Sequence, residues 1–175
     1  MRLQAIESDK AWALLKSQWR RGAEAADEDF SSFAQGPLAA VDQLMTQGAS
    51  RAGLYGLYDD QVPHAFCQVN KLLMGKFEGP MLRARFMTVS PIYDFGAADL
   101  GKYGQLLIEL FSGIVWLSRN TMSANHVLFH LRSPADARFL APLQMTVATS
   151  PFQRFVIKGA WVECDLKETN APDPN

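Results

Sequence analysis

Residues 87–110, MTVSPIYDFGAADLGKYGQLLIEL, combine a strand end, a glycine-containing turn and an apolar helix. Met87–Ser90 is predicted to end a strand, because Pro91 cannot donate a hydrogen bond to the strand ladder. Gly101 and Gly104 stand at the predicted helix start, where the first backbone N–H groups lack partners and the helix dipole favours negative charge. Glycine also lets a backbone approach a ligand closely. The segment therefore predicts an anion-binding site.

Histidines and cysteines are the other side chains that could carry chemistry. His64, His126 and His130 are too scattered to predict a metal site. His126 and His130 are four residues apart on a predicted strand and would share a face, so one could be a general base, although a structural histidine is the commoner interpretation. Cys67 and Cys164 lie in apolar segments and are predicted to be buried thiols of a reducing compartment, unless they meet in space as a disulfide. These spacings assign no catalytic residue.

Charge and hydropathy exclude two classes of partner. Seventeen basic and eighteen acidic residues leave a net charge of −1, and Arg20-Arg21 is the only adjacent basic pair, so nucleic-acid binding is not expected. The apolar stretch Leu106–Leu117 contains Glu109 and is too short to span a bilayer. The first ten residues, MRLQAIESDK, lack the apolar core of a secretion signal. We therefore expect a cytoplasmic protein without a membrane partner.

Periodicity predicts a single domain over residues 1–167 with a polar tail at 168–175. The predicted strands are 2–6, 51–58, 64–74, 81–90, 126–132, 143–149 and 153–166, and the predicted helices are 9–21, 37–47, 100–120 and 134–140. Strand 81–90, helix 100–120 and strand 126–132 form a βαβ crossover, which predicts parallel strands beside antiparallel hairpins. The fold class is therefore α+β with a mixed central sheet.

The apolar face of the last predicted strand changes phase. Phe155 and Ile157 have odd numbers, whereas Val162, Cys164 and Leu166 have even numbers. A bulge of one residue near Gly159 would produce this change. We therefore predict one long strand with a bulge at that glycine.

This order of elements resembles the acetyltransferase fold of the acyl-CoA N-acyltransferase (GNAT) superfamily over most of the chain. The family typically shows a strand ending in V-x-P, a glycine-containing loop and an apolar helix. The positions that fall in this arrangement are Val89, Pro91, Gly101, Gly104, Leu106 and Leu107. The resemblance implies acetyl-CoA or another acyl-CoA as cofactor, with its pyrophosphate on the helix start and its pantetheine along the strand end. The residues implied for cofactor binding are Thr88, Val89, Ser90, Gly101, Lys102, Tyr103 and Gly104.

The sequence departs from the family pattern in three respects. Gly101 and Gly104 are one residue too far apart, and Ala98 stands where the family has Arg or Gln. Asp94 and Asp99 outnumber Lys102 in the loop, which disfavours a diphosphate. Residues 134–141, PADARFLA, lack the tyrosine that many members use as an acid.

Two functions follow from the resemblance. In the first, the protein transfers an acyl group to the amine of a small molecule or peptide, with a backbone N–H near Val89 polarising the thioester carbonyl and the acidic loop Glu24–Asp29 attracting a cationic acceptor. In the second, favoured by the altered loop and the missing tyrosine, it is a non-catalytic binding or assembly module. Trp161, predicted on the outer face of the last strand, suggests a homodimer contact.

Overall fold

The computed structural model describes residues 1–47, 52–95 and 99–167. Its strands are β1 (Arg2–Ala5), β2 (Ala52–Asp59), β3 (Val62–Leu73), β4 (Pro80–Val89), β5 (His126–His130), β6 (Phe152–Lys158) and β7 (Trp161–Leu166). Its helices are α1 (Asp9–Glu24), α2 (Gln35–Gln47), α3 (Pro91–Asp94), α4 (Leu100–Asn120) and α5 (Ala137–Met145), with a 3₁₀ turn at Pro134–Asp136. The predicted tail 168–175, and Ala98 of the predicted loop, lie outside the described residues.

One seven-stranded sheet has the order β1-β2-β3-β4-β5-β7-β6. β4 and β5 are parallel, and every other described strand pair is antiparallel. The predicted mixed sheet is therefore confirmed, and so is the predicted parallel pairing of β4 and β5, the strands that precede and follow α4 in the chain. They follow from the long helix, because a crossover returns the chain to the same end of the sheet.

Helices cover both faces of the sheet. The predicted stripe of α4, which includes Leu107, Phe111 and Ile114, is buried on one face against Cys67 and other side chains of the strands. On the other face α1 packs Trp12 and Trp19 against Phe66, with ring centroids 5.0 and 5.4 Å apart. Phe66 and Cys67 are neighbours in β3 and point to opposite faces, as strand alternation requires.

A bulge interrupts β4 at Phe86. Leu82 and Ala84 belong to the core under α4, and after the bulge Met87 and Val89 belong to it. The residues of β4 that face α4 therefore change from even-numbered to odd-numbered within the strand. Phe86 has a φ of +53°, and the register with β3 shifts opposite this position.

The chain after β5 differs from the prediction. The region 143–149 is not a strand: α5 extends to Met145 and is followed by turns, because Leu143 and Val147 pack against the core from helical and turn positions. The predicted bulge near Gly159 is also wrong. β6 and β7 form a hairpin whose two-residue turn is Gly159-Ala160, and Gly159 has a φ of +60°. A tight turn reverses the strand and changes the apolar phase in the sequence as a bulge would.

Helix ends differ by a few residues. Gly22 does not end α1, which continues to Glu24, and α2 begins at Gln35, two residues before Pro37. Gly22 has room for a side chain, because a Cβ there would lie 3.8 Å from Ile92, which is an ordinary contact. Glycine without an alternative backbone conformation only weakens a helix and does not stop it.

Gly104 in α4 should tolerate alanine worse than Gly22 in α1 does. A Cβ on Gly104 would lie 2.5 Å from Cδ1 of Phe139, where α5 crosses α4. Overpacking costs about 1–3 kcal/mol, whereas the gain in helix propensity is about 1 kcal/mol. We expect Gly104→Ala to lower the free energy of unfolding by about 1 kcal/mol net of that gain, and Gly22→Ala to raise it by about 0.5–1 kcal/mol.

Urea denaturation of both variants checks this expectation. Phe139→Leu, combined with Gly104→Ala, should recover part of the loss, because neighbouring sites couple when they share a contact. Equal stabilisation by the two glycine substitutions would contradict the packing described here.

Candidate functional site

A cleft opens between β4 and β5 where their pairing ends. The strands pair only over Met81–Ala84 and His126–Phe129, so β4 residues 85–89 have no partner on the β5 side. The cleft has a volume of about 370 Å³. Its lining is Ala34, Pro37, Arg85, Phe86, Met87, Thr88, His130, Leu131, Arg132 and Trp161. An unpaired strand edge with free backbone donors and acceptors is a place where an extended ligand can add its own hydrogen bonds.

An ion pair joins the chain segments that follow β4 and β5 at this cleft. Arg132, after β5, donates two hydrogen bonds of 2.7 Å to the two carboxylate oxygens of Asp94, after β4. Desolvation by itself would lower the pKa of Arg132, but the hydrogen bonds and charge of Asp94 raise it. This bidentate pairing satisfies much of the guanidinium, since both its terminal nitrogens are engaged.

Arg85, on the floor of the same cleft, is paired differently. Its Nη2 donates to Oε1 of buried Gln68 at 3.0 Å, and its Nε is buried without a hydrogen-bond partner. Within the described ranges, no carboxylate lies within ion-pair distance of it. Burial, and then the neighbouring charge of Arg83, lower the pKa of Arg85. The cleft therefore holds a partly desolvated cation without a counterion.

His130 is the titratable neutral group of the cleft. Its ring lies 4.3 Å from the ring of Trp161, centroid to centroid. Burial, and then the charge of Arg85, lower the pKa of His130 from its ordinary value of 6.5. The imidazole is therefore mainly neutral at pH 7 and can accept a proton.

The other two histidines are held by their neighbours. His126 places Nδ1 2.7 Å from Asp165 and Nε2 2.8 Å from the carbonyl oxygen of Glu78, so both nitrogens are engaged. His64 lies with Nδ1 2.8 Å from the hydroxyl of Tyr93. Neither lines the cleft. The sequence predicted that His126 or His130 could be a general base. Only His130 lies in the cleft, where it could act as one.

The cysteines are buried and free, as predicted for small apolar side chains. Burial raises the pKa of Cys67 to about 12 and also raises that of Cys164. The thiolate is the reactive form, so neither is suited to act as a nucleophile. Among the residues that the structure describes, no three His, Cys, Asp or Glu side chains are arranged to hold a metal ion. No helix in those ranges has both the length and the apolarity of a membrane span.

The start of α4, the predicted anion site, is occupied in part by its own cap. The carboxylate of Asp99 accepts a hydrogen bond of 2.8 Å from the N–H of Lys102, and the carbonyl of Asp99 accepts from the N–H of Tyr103 at 3.1 Å. Gly101 and Lys102 are exposed, whereas Gly104 is buried beneath Phe139. Asp99 therefore already supplies the acceptors for two backbone N–H groups at this helix start, those of Lys102 and Tyr103.

Of the three strand-end residues predicted to bind the cofactor, only one lines the cleft. Thr88 lines it, Val89 points into the core under α4, and both are buried. The N–H of Ser90 donates to the carbonyl of His64 at 2.8 Å. Only part of this strand end therefore faces a ligand.

Tyr103 stands near the ion pair of Arg132. Burial, followed by the charge of Asp136, raises the pKa of Tyr103 to about 12. The phenol thus keeps its proton at neutral pH, although Tyr103 is not among the residues that line the cleft.

Sequence patterns missed Arg85, Arg132 and Trp161 as cleft residues. Arg85 is one of two arginines at alternate positions of β4, which gives no sequence signal of function. Trp161 was predicted on an outer face, but it is partly buried beside His130. The acidic side chains of residues 24–29 are exposed and do not line the cleft.

Comparison with known proteins supports the fold through structure alone. No protein-family model matches the sequence, and no curated protein matches it. An aminoglycoside N(6')acetyltransferase from Legionella pneumophila superposes with a TM-score of 0.52 at 10% identity, covering 95% of this chain and 92% of that one. The aminoglycoside N-acetyltransferase AAC(6')-Ib11 superposes with a TM-score of 0.54 at 15% identity, covering 94% and 95%. With the mixed seven-stranded sheet and its helices, these likenesses give the chain the GNAT acyl-CoA N-acyltransferase fold.

Proposed function

We propose that the cleft between β4 and β5 is the active site of an acyl-CoA-dependent N-acyltransferase. The observation that carries the proposal is the end of β4–β5 pairing at the Phe86 bulge, which leaves a 370 Å³ cleft beside an unpaired strand edge. The fold alone is compatible with several functions. The cleft adds a neutral imidazole and a free guanidinium at the place where the two strands separate.

The residues present fit one part of an acyl-CoA better than the other. The free edge of β4 from Arg85 to Thr88 suits the amide groups of pantetheine, which need donors and acceptors in an extended arrangement. At the start of α4, Lys102 and the N–H of Gly101 would meet the phosphates, and Asp99 would oppose them. An acyl-CoA bound here would supply an activated acyl carbon.

The chain's own residues can then supply positioning and proton transfer. His130, neutral at pH 7 and at the cleft surface, would accept the proton of the acceptor amine as its nitrogen attacks the acyl carbon. The carbon–sulfur bond of the thioester would break, and the proton would pass from His130 to the sulfur of CoA, which leaves as a thiol. Trp161 holds the imidazole in place through its ring contact. Phe86 and Leu131 give the cleft apolar walls beside the reacting groups.

A second candidate is a non-catalytic binding or assembly module of the same fold. Its support is the Asp99 cap, which already occupies the N–H of Lys102, and the Asp94–Arg132 pair, which already satisfies a cation at the cleft. In this alternative the phosphate site has been replaced by internal contacts. A homodimer remains a proposal within it.

Removal of the charge of Asp99 separates the two candidates. Asparagine caps a helix as well as aspartate does, so Asp99→Asn keeps the fold and removes a negative charge near the phosphates. A unit charge at about 4 Å in water contributes about 1 kcal/mol. For the enzyme we expect acetyl-CoA to raise the melting temperature of the parent protein, and the dissociation constant to fall about fivefold in Asp99→Asn.

Calorimetric titration with acetyl-CoA, together with thermal shifts, measures both effects. Asp27→Asn, which removes an exposed charge from the turn after α1, is the control and should leave affinity unchanged. Absence of acetyl-CoA binding in the parent and in Asp99→Asn would contradict the enzyme and favour the module.

The pH dependence of the reaction tests His130. Because the folded pKa of His130 is lowered, the neutral base persists below pH 6.5, and kcat/KM should fall only as pH drops through that lowered pKa. His130→Asn should reduce kcat about 100-fold or more and abolish this acid limb. His126→Asn, on the same strand face, should keep the limb. A pH profile unchanged in His130→Asn would remove the imidazole from the proposed mechanism.

A further inference from the structure

Arg85 is a cation of the cleft that has no carboxylate partner among the described residues. It lines the cleft, its Nε is buried without a partner, and Gln68 holds one terminal nitrogen at 3.0 Å. The guanidinium carbon also lies 5.0 Å from the ring centre of Phe86, which limits its rotation. A guanidinium held in this way offers a planar fork to a carboxylate, and burial without a counterion is costly until one binds.

The other arginine of the cleft differs from Arg85 because it has a carboxylate partner. Arg132 already has both terminal nitrogens on Asp94 at 2.7 Å. Arg83, two residues before Arg85 on the same strand face, has its Nε 3.4 Å from Asn70 and does not line the cleft. Of these three, Arg85 alone lines the cleft without a carboxylate partner among the described residues.

We propose that the amine acceptor of this protein carries a carboxylate, that Arg85 binds that carboxylate, and that the acceptor is an α-amino acid with an apolar side chain. This inference rests on the proposed function, because it names the acceptor of the same cleft. The carboxylate would accept hydrogen bonds from Nη1 and from the second N–H of Nη2 of Arg85, because Nε is buried. The amine, one carbon away, would then lie toward His130, which shares the cleft floor.

The size and lining of the cleft support a small apolar acceptor. A volume of 370 Å³ must hold the reacting end of the acyl donor as well as the acceptor. Phe86, Met87, Leu131 and Trp161 give it mainly apolar walls. A polycationic acceptor, such as an aminoglycoside, would place ammonium groups beside an unneutralised guanidinium, and like charges repel.

His130 provides a readout that does not depend on catalysis. The charged groups that share its surroundings are Arg85 from β4, and Arg132 with Asp94 from the two strand ends, whereas β7 contributes the uncharged Trp161. Burial lowers the pKa of His130, and the charge of Arg85 lowers it further. A carboxylate on Arg85 should therefore raise that pKa.

The experiment follows the ring signals of His130 by NMR as pH is varied, with phenylalanine, phenylalaninamide or neither present. Phenylalanine and its amide both bring an ammonium group toward His130, so the difference between them reports the carboxylate: the pKa of His130 should be higher with phenylalanine than with the amide. Arg85→Gln should raise the pKa without ligand and abolish the difference between the two ligands. Arg83→Gln is the matched control and should keep that difference.

Turnover gives a second measurement with acetyl-CoA as donor. We expect phenylalanine to exceed phenylalaninamide in kcat/KM by about 10- to 100-fold, the usual effect of hydrogen bonds to a charged group. Arg85→Gln should remove that preference, and Arg85→Lys should restore only part of it, because lysine lacks the planar fork.

The outcomes distinguish this inference from the proposed function. If acetyl-CoA binds but phenylalanine and its amide give the same pKa of His130, the amino-acid acceptor is overturned and the acyltransferase stands. If the pKa is higher with phenylalanine than with the amide and Arg85→Gln abolishes this difference, while acetyl-CoA does not bind, the carboxylate site stands and the acyltransferase is overturned. Equal use of the amino acid and its amide would also overturn the carboxylate site.

Discussion

The left-handed backbone of Phe86 is the constraint on which the cleft depends. A regular β4 would turn Met87 and Val89 away from α4, whereas the extra residue returns both to the core. Such a conformation costs about 1–3 kcal/mol in a residue other than glycine, and burial of a large apolar side chain contributes about 1.5–3 kcal/mol. The core thus stabilises the bulge. Beyond Ala84 the two parallel strands no longer pair, and the gap is the candidate site.

The two arginines of that site differ in whether a carboxylate neutralises them. Asp94 neutralises Arg132, and Asp99 caps the start of α4, so the negative loop that disfavours a diphosphate is itself structural. Arg85 lacks such a partner among the described residues. In the proposed function, the phosphates of an acyl-CoA would therefore meet an acidic helix start, whereas the cleft itself holds a cation without a counterion in the described ranges.

Much of the fold could be predicted from the sequence. The stripe of α4 and the crossover between β4 and β5 appeared with nearly correct bounds, because a helical period and a proline stop are local signals. The errors came where two structures give the same pattern. The hairpin at Gly159 was predicted as a bulge since both change the apolar phase, and 143–149 was predicted as a strand although its apolar side chains pack from α5 and turns.

The sequence by itself determined the α+β class, the end of β4 close to Pro91 and the start of α4 at Leu100, all of which depend on neighbours in the chain. Tertiary structure alone decided which side chains meet. Arg85, His130 and Trp161 come from three strands, and their proximity arises from the pairing of β5 with β7 and from the bulge in β4. Gly104 likewise was predicted to bind the cofactor, and only packing showed that Phe139 covers it. Contacts between residues distant in the chain leave no periodic signal in sequence, so the chemistry of the cleft could be recognised only after the strands were in place.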